Sequence, residues 1–148
     1  MGNWLVKFLT KRHEKSGSPV MTIGIREGAL EGVEGITTIH RYFPFGMDDI
    51  NEAYPWYKFV NAFLHNWVKS DLEYMHDHPR WSITVLLSGE LIEKTPWTSK
   101  HLKPGRIVIR SRKNIHRFEL VDNKPAWTLF IVGRRKHKQN WYKLTQID

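Results

Sequence analysis

A chain of 148 residues is long enough for one domain with a real core and too short for two comfortable ones. Its 41% hydrophobic and 26% charged residues are ordinary for a globular protein, and seven Trp and seven Phe supply bulk for that core. The absence of cysteine excludes a disulfide framework, a thiol nucleophile and every Cys-based zinc module, while a net charge of +8 attracts polyanions without specifying one.

The chain opens on "MGNWLVKFLTKRHEK", a basic stretch with helical spacing in which Trp4, Leu5, Phe8 and Leu9 would share one face. Lys7 interrupts its apolar run too early for a signal peptide, and Val6 stands where a myristoylation site needs Ser or Thr. "SGSP" at Ser16–Pro19 reads as a hinge, so residues 1–19 form a basic, helical extension and residues 20–148 a single domain. "VMTIGIRE" and "GITTIHRYF" read as strands about the Gly-rich "GALEGVEG". "FPFGMDDINEAYPW" mixes turn signals with one helical turn. "FVNAFLHNWV", "WSITVLLSGEL", "RIVIR", "IHRFELV" and "AWTLFIVG" follow as short β-branched and aromatic runs broken by Gly, Pro, Asn and Asp. Strands so spaced predict an all-β sandwich or barrel. No apolar run approaches the ~18 residues of a membrane span, so the expectation is a cytoplasmic protein with no membrane partner.

One stretch does not fit a plain core strand. In "YMHDHPRWSITVLLSGE", Tyr74 to Glu90, His76 and His78 stand one residue apart before the buried-looking "ITVLL". Residues i and i+2 of a strand share a face, which projects His76 and His78 together and directs Asp77 away. Such a pair serves a metal ion or a mutually hydrogen-bonded pair of histidines alike.

Further on, Gly89 follows His78, Gly105 opens "PGRIVIR", and His116 stands in "NIHRFEL". This arrangement resembles the two motifs of the cupin superfamily: His-x-His, a Glu three or four residues on and a closing glycine, then a glycine followed by a further histidine. His76, His78 and Gly89 match the first motif, and Gly105 and His116 the second. The Glu position falls on Ser82 or Ile83, and Ser111 and Lys113 replace the second motif's Pro and Gly. The resemblance runs over roughly residues 57–135. Within it, "LHNW", "HDHP", "LLSGEL", "HRFEL" and "PAWTLFIVGRR" are similar to small cupin-like proteins of bacteria and phages, a group that implies no particular reaction.

The resemblance implies an all-β, cupin-type jelly-roll β-barrel with a short N-terminal helical segment. It also implies a mononuclear metal on His76, His78 and His116. Three neutral imidazoles suit one divalent transition ion, Fe, Zn, Ni, Cu or Mn, and leave positions for water, substrate or dioxygen. Such a set resembles those of thiol dioxygenases, and also quercetinase-type and isomerase-type cupins. The expected work is metal-dependent, dioxygenase-like chemistry on a small polar or anionic molecule. The alternative is a non-catalytic binding or accessory protein, associated with nucleic acid through its basic ends.

Other candidates follow from position. Tyr74, two residues before His76, would share its face and offer a phenol to a metal-bound ligand, and His65 in "FLHNW" would line the barrel mouth. These two are the catalytic candidates. Arg110, if inward, could hold a carboxylate or phosphate, and Trp67 would wall a pocket, as Trp81 and Trp127 would. Arg112 and Arg117 flank His116 as well, most of these arginines facing out. His40 is read like His65, and His13, His101 and His137 as solvated. The expected partners are a small-molecule ligand and a second copy in a homodimer, because exposed strand edges invite pairing.

Overall fold

The computed structural model describes residues 2–25, 35–46, 60–71, 74–133 and 141–143. Helix α1 (Gly2–Ser16) precedes β1 (Met21–Ile25), β2 (Ile36–Tyr42), β3 (Asn61–Trp67), β4 (Tyr74–His76) and β5 (Ser82–Ser88). Then come β6 (Leu91–Lys94), β7 (Ser99–Leu102), β8 (Ile107–Arg110), β9 (Arg117–Leu120), β10 (Ala126–Val132) and β11 (Trp141–Lys143). The seven strand-like runs of the sequence all contain strands. Two further runs, "SKHL" and "WYK", also pair. "GALEGVEG" and most of "FPFGMDDINEAYPW" lie outside the described residues, as do His137 and most of the basic C-terminal run.

One sheet has six strands in the order β1-β2-β3-β10-β5-β8, all neighbours antiparallel. Facing it are a three-stranded sheet, β7-β6-β9, and the two-stranded β11-β4. These smaller sheets are joined by one antiparallel bridge between His76 and His116. The result is a jelly-roll barrel whose second wall is stitched at two histidines. The turn from β5 to β6 needs Gly89, which has φ +76°. A Cβ there would stand 2.5 Å from the carbonyl oxygen of Pro125, so only glycine lets β10 pass this closely.

Alternation along the six-stranded sheet sorts residues between barrel and helix. Inward, Ile39, Trp67 and Ala126 join Leu86, Leu91, Leu102, Phe118 and Leu120 in a core between the sheets. A second inward group is aromatic: Phe43, Phe63 and Phe130 with Val132. Outward, Leu64 and Leu87 pack under Leu9 of α1, with Leu5, Val6, Tyr42, Val85, Trp127 and Leu129 around them. Successive residues of β5 point to opposite faces, so Leu86 is buried in the barrel core and Leu87 under α1.

Burial divides the apolar face of α1, and one expectation about the helix is corrected. Its buried stripe is Leu5, Leu9 and His13, one turn apart, whereas Trp4 and Phe8 are 62% and 50% exposed. A helix lying on a flat sheet buries a narrow stripe, and residues one step round from it reach solvent. His13 is not solvated. It is buried at the end of that stripe, where its Nδ1 accepts the Phe43 N–H at 2.9 Å, and burial lowers its pKa despite Glu14 nearby. No described helix is long and apolar enough to cross a membrane.

Candidate metal centre

The His76–His116 bridge builds the site from the backbone. His76 N–H donates to His116 O at 2.9 Å, and His116 N–H to His76 O at 3.0 Å. Residues that exchange both bonds in an antiparallel pair sit directly opposite with side chains on one face. Strand β4 ends at His76, so His78 arrives on the segment that follows and not by strand alternation; Asp77 between them is buried as well. The three rings nevertheless converge, each pair of centroids 5.0 Å apart. One nitrogen from each lies within 4.8 Å of the other two, a group that could hold a metal ion.

The acid of the first motif has no counterpart among the three converging side chains, and a carboxylate stands behind His116 instead. Ser82, in its place, is fully buried and sits across the sheet from Arg110. That carboxylate is Glu93 on β6. It accepts from His116 Nδ1 at 2.8 Å, and the same oxygen accepts from Arg110 Nε. Arg110 also donates through Nη1 to Thr84 Oγ1 at 2.8 Å and lies over the Phe118 ring. An ionised carboxylate accepts only, so His116 carries its proton on Nδ1 and turns the Nε2 lone pair toward His78. His78 Nε2 is 2.8 Å from it. Two nitrogens about 2.0–2.1 Å from one ion, at right angles, would stand about 2.8–3.0 Å apart, so the pair fits two neighbouring ligands of a common ion.

The protonation states agree. Burial holds the pKa of His76 well below 6.5, and the charges of His116 and Arg110 lower it further. His78 is lowered well too, by burial and by His76, His116, Arg110 and Arg41. Burial lowers His116 in the same direction, with the Glu93 hydrogen bond opposing. Burial alone would raise Glu93, but hydrogen bonds and charge from His116 and Arg110 hold it at about 2. All three imidazoles are thus neutral at neutral pH, backed by an ionised carboxylate.

Beside the histidines lies a cavity of about 60 Å³. Ile39, Trp67, Phe118 and Phe130 give it apolar walls. Its polar lining includes Thr38, Arg41, His65, Asp71, Thr84 and Thr128. Asp71 accepts the Phe118 N–H at 2.8 Å. Burial raises its pKa to about 7 against that hydrogen bond and the charge of Arg117.

The candidates read from sequence are distributed as follows. His65 is buried in the lining, and Trp67 beside it gives its indole N–H to Thr128 Oγ1 at 3.2 Å. Arg110 is inward, with its charge committed to Glu93, and stands outside the lining, as does the half-buried Tyr74. Trp81 is 40% exposed, Trp127 packs under α1, and His101 pairs with Glu90 at the surface. Arg41, Asp71, Thr84 and Glu93 were missed. Two of them carry a legible sign: Arg41 follows Ile39, and Glu93 follows Leu91, at the spacing of an inward strand face.

The fold matches solved structures over most of its length. The polyketide cyclase RemF from Streptomyces resistomycificus superposes with a TM-score of 0.60 at 12% identity, covering 86% of this chain and 82% of that one. A cupin-2 domain protein from Rhodospirillum rubrum gives 0.57 at 12% identity, over 87% and 78%. The chain has the fold of the cupin superfamily. The DMSP lyase DddQ from Ruegeria pomeroyi DSS-3 also shares this cupin fold, with a TM-score of 0.57, 19% identity and 84% of this chain covered, although the chain spans only 60% of the lyase. Neither a family model nor a curated protein matches the sequence. Fold alone hosts many chemistries, so the function of this chain must be argued from its site.

Proposed function

We propose that this cupin binds one divalent transition metal on His76, His78 and His116 and uses it on a small polar or anionic molecule. The observation that carries the reading is the closed triangle of three neutral imidazoles, with Glu93 fixing the His116 tautomer. A bound ion would act as a Lewis acid with open positions for an oxygen donor or dioxygen. The chain's residues do the rest. Glu93 and Arg110 keep His116 oriented, Thr84 steadies Arg110, and the aromatic walls keep bulk water from the cavity. Asp71, titrating near neutrality, is able to take or give a proton there. Ile107 and Ile109, 58% and 73% exposed on the edge strand β8, support a homodimer as the assembly.

The test is elemental analysis of untagged protein reconstituted separately with Fe(II), Zn(II), Ni(II), Cu(II) and Mn(II). One ion per chain is expected with at least one metal, and His78→Ala should remove it. Occupancy well below one with every metal, in folded protein, would refute the reading.

A further inference from the structure

We propose that the outer face of α1 docks on an anionic lipid surface, with Trp4 and Phe8 entering the headgroup layer and Lys7, Lys11 and Lys15 meeting its phosphates. The contact is independent of the metal reading. One stripe of the helix is committed to the barrel: Leu5 and Leu9 pack on the outward side of the six-stranded sheet, over Leu64 and Leu87. His13 continues that stripe and is tied to the Phe43 N–H at 2.9 Å. The helix is therefore fixed about its own axis and cannot roll to hide the stripe opposite. That stripe is a single row, because residues 4, 8, 11 and 15 follow one another at helical spacing. It reads Trp4, Phe8, Lys11, Lys15, with Lys7 beside it, and all five are exposed. Trp4 keeps 62% and Phe8 50% of its surface in contact with solvent.

The make-up of the row selects its occupant. Apolar residues standing singly on a surface are ordinary, whereas here two large aromatics are neighbours within a row of lysines. Glu14 is the one acid of the helix, against Lys7, Lys11, Arg12 and Lys15. Arg12 is turned aside, over the Phe45 ring at 5.4 Å. A nucleic-acid duplex would satisfy the lysines but leave the aromatics against phosphate and sugar. A second copy meeting this face across a two-fold axis would set lysine against lysine. An anionic bilayer takes both parts at once. Its phosphates meet the ammonium groups, and the apolar layer just beneath receives Phe and Trp, the latter favoured at that boundary. Two inserted side chains need no spanning run, and they give a reversible contact that salt weakens. The cavity lies on the inner face of the sheet and α1 on the outer, so docking leaves the histidines untouched.

The experiment is cosedimentation of the full chain with vesicles of phosphatidylcholine alone and of equimolar phosphatidylcholine and phosphatidylserine. Wild type should bind the anionic vesicles far more tightly, and less so as salt rises. Lys7→Gln with Lys11→Gln should weaken binding about twenty- to thirtyfold, near fivefold for each charge. Trp4→Ala with Phe8→Ala leaves the charge alone and should weaken it about ten- to a hundredfold. Lys100→Gln with Lys103→Gln, an equally exposed pair far along the chain, should change it less than about threefold. All three are surface changes, so Tm and zinc content should stay as in wild type. Equal losses from the two lysine pairs would reduce the effect to the diffuse pull of a net charge of +8 and overturn the proposal. Vesicle binding unchanged in Trp4→Ala with Phe8→Ala would overturn it too. So would α1-dependent binding of single-stranded or duplex DNA, or a dimer that needs Trp4 and Phe8, with no vesicle binding.

Discussion

Glu93→Gln is the most informative single perturbation. The substitution preserves size and one acceptor oxygen, but it removes the charge that Arg110 and His116 share. The Arg110 and Glu93 side chains are 2% and 6% exposed, so the variant leaves a buried guanidinium without a counter-charge. Removing one partner of a buried pair costs about 3–5 kcal/mol. That is a large part of the roughly 5–15 kcal/mol by which a domain is stable, and near this size each kcal/mol lowers Tm by about 2–4 °C. A fall of roughly 10 °C is expected by calorimetry or by circular dichroism with urea at pH 7. The pH dependence gives an independent check. Glu93 has its carboxyl lowered from 4.5 to about 2 on folding, so its contribution is fully present above pH 4.5 and is lost as pH falls through about 2. The gap between wild type and variant should stay level from pH 8 to 5 and shrink below. Glu93→Met with Arg110→Met removes both charges and should recover much of the loss. A loss under about 1 kcal/mol, or a double variant no better than Glu93→Gln, would refute this account of the site's support.

Three other outcomes follow from the same structure. His65, His76, His78 and His116 are all lowered by burial. The metal-free protein should therefore hold full stability above pH 6.5 and lose it increasingly steeply as pH falls below, because only the unfolded chain binds those protons; a flat urea midpoint from pH 7 to 5 would contradict this. Asp71 has the opposite sign. Its carboxyl is raised from 3.8 to about 7, so stability falls as pH rises between those values. Asp71→Asn, which still accepts the Phe118 N–H, should be more stable than wild type at pH 8, by about 4 kcal/mol at most, with the gap closing below pH 4; equal stability at pH 8 would count against a buried carboxyl there. Lys7, Lys11, Arg12 and Lys15 are exposed on α1. Any binding of a DNA duplex through them should weaken steeply with salt and survive His116→Ala; salt-independent binding that needs His116 would place the nucleic acid at the barrel instead.

Much of this protein could be read from the order of its residues. Strands show in the sequence where alternation and turn chemistry repeat, as from Trp81 to Leu91. His76, His78 and His116 were legible because their spacing against Gly89 and Gly105 follows a pattern. Gly89 is one of the few places where backbone geometry admits no other residue. Short polar strands left no such trace: "SKHL" pairs only because Leu91–Lys94 lies beside it. Which part of the helix face is buried left no trace for a related reason. Spacing shows that Trp4, Leu5, Phe8 and Leu9 are neighbours on a helix, but which of them is buried depends on the angle at which α1 meets the sheet.

The partners of the histidines were decided by tertiary structure alone. Glu93 is 23 residues from His116, and Arg41 is 24 from His65. Local spacing carries no information about pairs that a barrel brings together from separate strands. The same holds for charge. In sequence, Arg110 is one basic residue among several and Asp71 an ordinary loop acid. Folding removes water from both, and only then does one need a carboxylate and the other resist ionising. Sequence determined which side chains could do chemistry, while the tertiary structure decided their protonation and their neighbours, because desolvation and distance do not exist until the chain has closed.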